Sequence, residues 1–264
     1  MCRRGYRPIS ASPCAAGGSV CGSCGTRTGS GSFYREVART ADCAPEDVVA
    51  GDLVLYNNQP GTVWGAEGEF VSAPRLDDLA CVFACTEGFL TAQERDMVPV
   101  LCVFDNEEIG SETKQGAASV FLPETLAAIS EALGLSAVDH RALLADSMML
   151  SCDNGHARHP NHPELADTNE APVLNGGVVV KHSPRYATDG VSAAVFTELC
   201  RRAEVPVQHY ANRPDQMGGA TLGNIADTKL PIPTVDIGMA QLAMHSCFET
   251  MGSRDVEAFV RAVR

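Results

Sequence analysis

Apolar and polar positions along the chain switch between a helical and an extended period, and the switching outlines a fold. From Leu76 to Leu90 (LDDLACVFACTEGFL) apolar residues recur at helical spacing. Val98–Phe104 (VPVLCVF) is a short continuous apolar run, the pattern of a strand buried on both faces. Pro123–Leu135 and Arg141–Leu150 read as helices, the second passing into a strand-like end near Met149–Cys152. Gly177–Lys181 (GVVVK) predicts a strand, and Val191–Ala203 a helix with Gly190 and Pro206 near its limits. Val207–Tyr210 and Thr234–Ile237 are further short strands, and Arg254–Val263 is a closing helix. The alternation predicts an α/β fold, a mostly parallel sheet with helices on both faces. In such sheets, sites gather at the carboxyl ends of the strands.

Upstream the pattern weakens. Residues 1–32 are rich in Gly, Ser, Cys and Arg without either period, which predicts a disordered or unrelated tail. Cys21 and Cys24 form a CxxC there, but no second pair follows to complete a zinc knuckle. From Phe33 a short helix and a turn are expected, then a strand at DLVLY (52–56).

Composition narrows the class. An apolar content of 45% with 20% charged residues is that of a soluble globular chain. No apolar run reaches the roughly eighteen residues of a membrane span. Twenty basic against thirty-three acidic residues leave a net charge of −13, which argues against a nucleic-acid partner. Six of the eleven cysteines (Cys81, Cys85, Cys102, Cys152, Cys200 and Cys247) lie in apolar stretches, where free cysteine packs as a small hydrophobe. With no compact apolar block near Met1, the expected setting is the reducing cytoplasm.

The predicted strand ends carry acids. Val98–Phe104 runs into Asp105, Glu107 and Glu108; the strand near Cys152 ends in Asp153; Asp236 closes another, with His245 beyond it. Asp77 and Asp78 follow Arg75 at a helix start. Carboxylates gathered this closely repel one another and lose hydration, and a multivalent cation relieves both. Carboxylate oxygens plus one imidazole suit Zn²⁺, Mn²⁺ or Co²⁺, and two ions bridged by an Asp and a water need this kind of set. Neighbours Glu107 and Glu108 diverge on leaving a strand, so one can bind metal while the other stays free as a base. The same residues also fit a solvated turn at Glu107–Glu108 and a helix cap at Asp77 or Asp78. Asp236 suits a pairing with another buried group, and His159 and His162, flanking prolines, suit a loop. Gly218 and Gly219 read as turn residues allowing close backbone approach.

Six ordered segments sharpen the reading: SAPRLDDLACVF, FDNEEIGSETKQGA, SCDNGHARHPNH, VVVKHSPRYATDG, GGATLGNIA and TVDIGMAQLAMHS. Together they resemble the successive signatures of the M18 metallo-aminopeptidases, the aspartyl aminopeptidase family. The likeness runs from about Phe33 to Arg264, roughly the C-terminal half of a family member. It implies a zinc-dependent aminopeptidase that releases N-terminal residues from peptides, acidic ones among the candidates, by water activated at a metal pair. It implies a split catalytic α/β domain with two zinc ions (Co²⁺ or Mn²⁺ as substitutes), interrupted by a smaller β-rich dimerisation domain. Homo-oligomers of large tetrahedral form are implied too. Residues 33–65 would then be the remnant of the dimerisation domain, and 66–264 the C-terminal part of the catalytic domain.

By the same resemblance Asp77 bridges the metals, Glu107 is the general base, and Glu108 and His245 bind one zinc. Asp153 binds the other, while His156, Lys181 and Tyr186 meet substrate or transition state. The chain departs from the family pattern at two points. The family's upstream HTD-like motif is missing, the first histidine being His140, so the metal at Asp153 lacks its imidazole. Asp78 stands where the family usually has Asn. Two other readings follow: a truncated, inactive relative serving as an assembly or binding module, and a related di-metal amide deacylase.

Overall fold

The computed structural model describes residues 31–52, 54–93, 96–216 and 218–264. The chain divides into two units, 1–58 and 59–264. In the first, helix α1 (Gly31–Ala41) is followed by a 3₁₀ turn at Pro45–Asp47, the short helix and turn expected from Phe33 onward. The expected strand at 52–56 does not form among the described residues, and Val54 and Leu55 are exposed. Cys21, Cys24 and the rest of the tail before Gly31 lie outside the described residues, as does Leu53.

The second unit contains two sheets. Strands β1 (Thr62–Trp64) and β2 (Phe70–Ala73) lead into helix α2 (Leu76–Thr91). Helices α3 (Phe121–Ala132) and α4 (Ala137–Ala145) precede β3 (Met149–Cys152), β4 (Gly155–His156) and β5 (Val178–His182). There follow α5 (Gly190–Arg202), β6 (Val207–Ala211), α6 (Leu222–Asp227), β7 (Thr234–Gly238), β8 (Ala240–Leu242), β9 (Glu249–Gly252) and α7 (Ser253–Val263).

The central sheet has the order β3-β7-β5-β6. Two of its pairings, β3–β7 and β5–β6, are parallel, as the alternation of strands and helices implied; β5–β7 is antiparallel. A second sheet, β1-β2-β9-β8-β4, is antiparallel except at β4–β8. The α/β class thus holds, with a mixed central sheet and a second sheet that the periodicity did not announce.

Local chemistry explains the elements. Val178, Val179 and Val180 are fully buried, as a β-branched run covered on both faces should be. Phe196 of α5 and Phe259 of α7 join Val178 and Val180 in one core cluster. Asp189 caps α5 by accepting from the Val191 and Ser192 amides, while Ser192 Oγ accepts from Asp189 N–H. Helix α2 lies against α7 at Gly88, where any Cβ would stand 2.5 Å from Val263.

One expectation is corrected. Val98–Phe104 forms no strand, and Val98 and Val100 are 84% and 57% exposed. Its pattern is that of a central strand, but no described neighbour supplies the backbone partners such a strand requires. Of the cysteines expected in apolar packing, Cys81 and Cys200 are buried, whereas Cys247 is exposed.

The close approach of the end of β7 to the residue after β3 depends on Gly238, since a Cβ there would stand 1.9 Å from the Asp153 carbonyl oxygen. Gly238→Ala should therefore lower the thermal midpoint by on the order of 5 °C, the scale of an overpacking penalty in a domain of this size. Calorimetry would decide the point, and an unchanged midpoint would contradict this packing.

Candidate metal centre

The site is assembled from three places where regular structure stops. Helix α2 starts irregularly: Arg75 is left-handed (φ 59°), Asp77 and Asp78 have non-helical backbone, and the peptide bond between them is cis. Asn106, left-handed at φ 61°, opens a 3₁₀ turn at Glu107–Ile109 that projects the two glutamates. His245 is also left-handed (φ 64°), in the turn between β8 and β9.

Asp153 follows β3, with its amide donating to the Ile237 carbonyl at 3.0 Å, so it stands at the carboxyl end of the central sheet. His245 Nε2 lies 3.2 Å from Asp77 Oδ2 and 3.0 Å from Glu108 Oε2. Asp77, Glu108 and His245 each offer a donor atom within 4.8 Å of the others, and so do Asp77, Asp78 and Asp153. Asp77 belongs to both groups.

Asp77 has a second distinguishing feature. Its side chain is only 4% exposed, and its Oδ1 has no hydrogen-bond partner among the described residues. A buried carboxylate oxygen left bare is costly, and a cation is the partner that fits there. The donor chemistry agrees. One group combines two carboxylates with an imidazole, a set suited to Zn²⁺; the other is all carboxylate, a harder set that suits Mn²⁺ as well.

Without an ion the acids are crowded. Burial, then the charges of Asp153, Glu108, Glu249 and Glu107, push the Asp77 carboxyl up to about 8. Burial, then Asp153 and Glu108, raise Glu107 to about 7, although Lys181 and His245 oppose the shift. Burial raises Glu108 as well, and burial with Asp153 lifts Asp78 well above the usual range.

Lys181 offsets part of this charge. Its Nζ is 3.0 Å from Asp153 Oδ2 and also donates to the Asn154 carbonyl, while its side chain is 2% exposed. Burial pulls its pKa down, but Asp153 and then Tyr186 more than reverse that pull. The ammonium also lies 5.3 Å from the centre of the Tyr186 ring. Tyr186 is half-buried, and burial raises its phenol. His156, on β4, is exposed.

All eight residues singled out in the sequence line one cleft of about 680 Å³: Asp77, Glu107, Glu108, Asp153, His156, Lys181, Tyr186 and His245. Asp236 stays apart from it, accepting from the Ala187 amide at 2.6 Å, so its carboxylate anchors the Tyr186 segment. His159 and His162 lie in the loop following β4, on the cleft wall. Gly218 allows the close approach expected of it, since a Cβ would meet the Asn212 side chain at 2.0 Å.

Two participants escaped the sequence reading, and Asp78, read there among the gathered acids and as a helix cap, was given no ligand role. Asn154, 3% exposed, ties α2 to β8: its side-chain amide donates to the Leu76 carbonyl and to Gln241 Oε1, while its backbone amide donates to Asp78 Oδ1. Glu249, 2% exposed, accepts from Asp77 N–H at 2.9 Å through one oxygen and from His245 N–H at 2.7 Å through the other. The β2–β9 register places it opposite Ala73, just ahead of the Asp77 turn. A glutamate between CF and TMGS has no periodic signal to mark it.

Comparison with known proteins gives one consistent result. The family model of the aminopeptidase I zinc metalloproteases (M18) matches residues 24–264. A probable M18 family aminopeptidase 2 of Mycobacterium leprae is 41% identical over 236 residues, 89% of this chain and 55% of that protein. The crystal structure of prApe1 superposes with a TM-score of 0.82 at 35% identity, covering 88% of this chain and 50% of that one. The mApe1 dodecamer of S. cerevisiae does so at 0.76 and 33% identity, covering 88% and 53%. The chain thus spans about half the length of the relatives it matches.

Two outcomes follow from the geometry. Asp77 and Glu107 have raised pKa values in the metal-free fold, so folding takes up protons there. Their contribution is fully present below the ordinary carboxyl range and is lost as pH rises through about 7 and 8. The metal-free midpoint should fall by on the order of 5 °C from pH 5.5 to 8.5, and saturating Zn²⁺ should cancel the fall. A flat apo profile, read by calorimetry, would remove the crowding. Glu249→Gln replaces one acceptor oxygen with an amide that cannot accept, orphaning the Asp77 or His245 N–H. Zn²⁺ affinity by isothermal titration should drop about 10- to 100-fold, the range for residues that orient ligands.

Proposed function

Because the chain belongs to the M18 family of zinc metallo-aminopeptidases, we propose that it takes part in removing N-terminal residues from peptides. The observation that carries this reading is the sharing of Asp77 between two groups of metal donors, with Glu107 on the same cleft. Asp77 would bridge two zinc ions, Glu108 and His245 would complete one site, and Asp153 would hold the other with Asp78 at hand. The bound pair would supply a Lewis acid for the scissile carbonyl and acidify an attacking water.

Glu107 stays outside both donor groups and is therefore free to carry protons. A carboxylate not engaged by metal can take a proton from water and return it to a leaving amine. Lys181, held charged by Asp153, sets a cation on the cleft wall where a peptide carbonyl or acidic side chain can meet it. His156 and Tyr186, on the same wall, would orient the peptide. A free N-terminal amine fits between the acids, which favours exopeptidase over endopeptidase cleavage. Peptides with an acidic first residue are among the candidate substrates.

The relative in the S. cerevisiae dodecamer suggests homo-oligomers here as well. Among the described residues no helix is long and apolar enough to cross a membrane, which accords with a cytoplasmic peptidase. One observation favours a second reading: the Asp77–Asp78–Asp153 group contains no imidazole. A relative that binds one ion and has lost catalysis would have this asymmetry.

The readings separate in one set of measurements. Elemental analysis should find two metal ions per chain, with turnover of Asp-, Glu- or Leu-anilides, for the enzyme; one ion without turnover supports the inactive relative. Hydrolysis of acyl-amino acids without anilide turnover would point to a deacylase. Glu107→Gln should reduce kcat by at least about 1,000-fold while leaving metal content unchanged. Loss of metal along with turnover would remove Glu107 from the role of base.

A further inference from the structure

Two histidines outside the cleft face one another on the central sheet. His182 ends β5 and His209 lies within β6, and His182 Nε2 stands 3.0 Å from His209 Nδ1. Their ring centroids are 5.2 Å apart, with the planes tilted by 31°. The parallel register explains the meeting. It sets Val180 opposite His209, Lys181 opposite Tyr210 and His182 opposite Ala211, so the histidines are diagonal neighbours on one face. Lys181 and Tyr210 belong to the other face, and both line the cleft, whereas His182 and His209 do not.

Neutral imidazoles at this spacing hold one proton between their facing nitrogens. A metal ion fits the same place. Two imidazole nitrogens bound side by side to one ion at about 2.0–2.1 Å stand roughly 3.0–3.4 Å apart, so the strands need hardly move. Binding requires both facing nitrogens to be bare. The ring that carries the shared proton shifts it to its far nitrogen, and no net proton is released. Burial, then the charge of His209, lowers the His182 pKa against the pull of Glu170, which favours the neutral, metal-binding form. Both residues are half-buried, so water can complete the coordination. Imidazole nitrogens with water suit Zn²⁺, Ni²⁺ or Cu²⁺ and not the oxygen-seeking Mg²⁺ or Ca²⁺.

We infer that His182 and His209 form a binding site for a divalent transition-metal ion, separate from the carboxylate-rich centre in the cleft. The ion fastens β6, the edge strand of the central sheet, to β5. It thereby steadies the register pair Lys181 and Tyr210 on the cleft face. This site requires no catalytic competence.

The test uses Zn²⁺ and the full 264-residue chain near neutral pH. In proton–nitrogen correlation spectra of the histidine rings, His182 Nε2 and His209 Nδ1 should shift to the range of metal-bound imidazole. By equilibrium dialysis the wild type should retain one zinc ion more than the doubly substituted His182→Ala, His209→Ala chain, a difference that cancels any zinc held by thiols. His182→Gln with His209→Gln keeps polar side chains at both positions and should lose the same ion if the alanine variant fails to fold. Amide exchange at 207–211 should slow about tenfold in wild type when free Zn²⁺ is ten times its dissociation constant, and not in the variants. Asp77→Ala, which breaks the cleft centre, should leave the ring shifts in place. Ring nitrogens that ignore a large excess of Zn²⁺, or equal zinc counts in wild type and both variants, would overturn the assignment and leave a plain hydrogen bond. Loss of the shifts in Asp77→Ala would equally overturn it, by making the pair an extension of the cleft centre.

Discussion

The site depends first on one carboxylate that need not touch a metal. Glu249 holds the amides of Asp77 and His245 on its two oxygens, joining residues from the start of α2 to a turn near the carboxyl terminus. Both of those backbones are irregular, so neither is positioned by a helix or strand of its own. Charge-assisted hydrogen bonds to a buried carboxylate are among the stronger ones available, and both oxygens are used. Fixing the two backbones with one group also fixes the spacing of their side chains. The 3.2 Å contact between His245 and Asp77 follows from that spacing. The antiparallel pairing of β2 and β9 completes the arrangement by carrying Glu249 to the place where both amides can reach it.

Against this rigid frame stands a charge distribution that the fold does not neutralise. Asp77, Asp78, Glu107 and Glu108 all have raised pKa values, with burial the leading cause in each. Lys181 lies in the same region but is committed to Asp153. A fold can retain such a cluster when its stability comes from elsewhere, here from the core of β5, β7, α5 and α7. The cost is then borne locally and relieved by ligand, as expected for a binding centre and not for a structural ion-pair network.

Much of the central sheet was legible in the sequence. Val178–Val180 could hardly be anything but a buried strand, and the helices over 76–91, 190–202 and 253–263 fall within a residue or two of expectation. The short strands of the second sheet were not legible, since three or four residues carry too little period to register. Residues 98–104 failed for a different reason. Their pattern is correct for a strand, but pairing depends on a neighbour that local sequence cannot report. Of the eight candidate residues in the cleft, Asp153 and Lys181 come from the carboxyl ends of strands the alternation predicts, whereas Asp77, Glu107, Glu108 and His245 come from irregular turns that it does not. Glu249 and Asn154 were invisible because their roles exist only through contacts across 172 and 78 positions of the chain.

That Glu107 and Glu108 reach the site although the preceding run forms no strand among the described residues needs a separate account, and the loop after them provides it. Asp105 N–H donates to the Gln115 carbonyl, Ser111 N–H to that of Asn106, and Ala118 N–H to that of Ser111. Thr113 Oγ1 adds a bond to Asn106 Oδ1 at 2.9 Å. Gly116 lets the loop close on itself, since a Cβ there would lie 2.1 Å from the Ser111 carbonyl oxygen. The glutamates are therefore held by bonds local to 105–118, and the strand before them is held by none among the described residues. Chemistry and scaffold are separable at this point of the chain: the loop presents its carboxylates through bonds of its own. This half of the metal centre therefore takes its local geometry from self-supporting turns and not from a sheet.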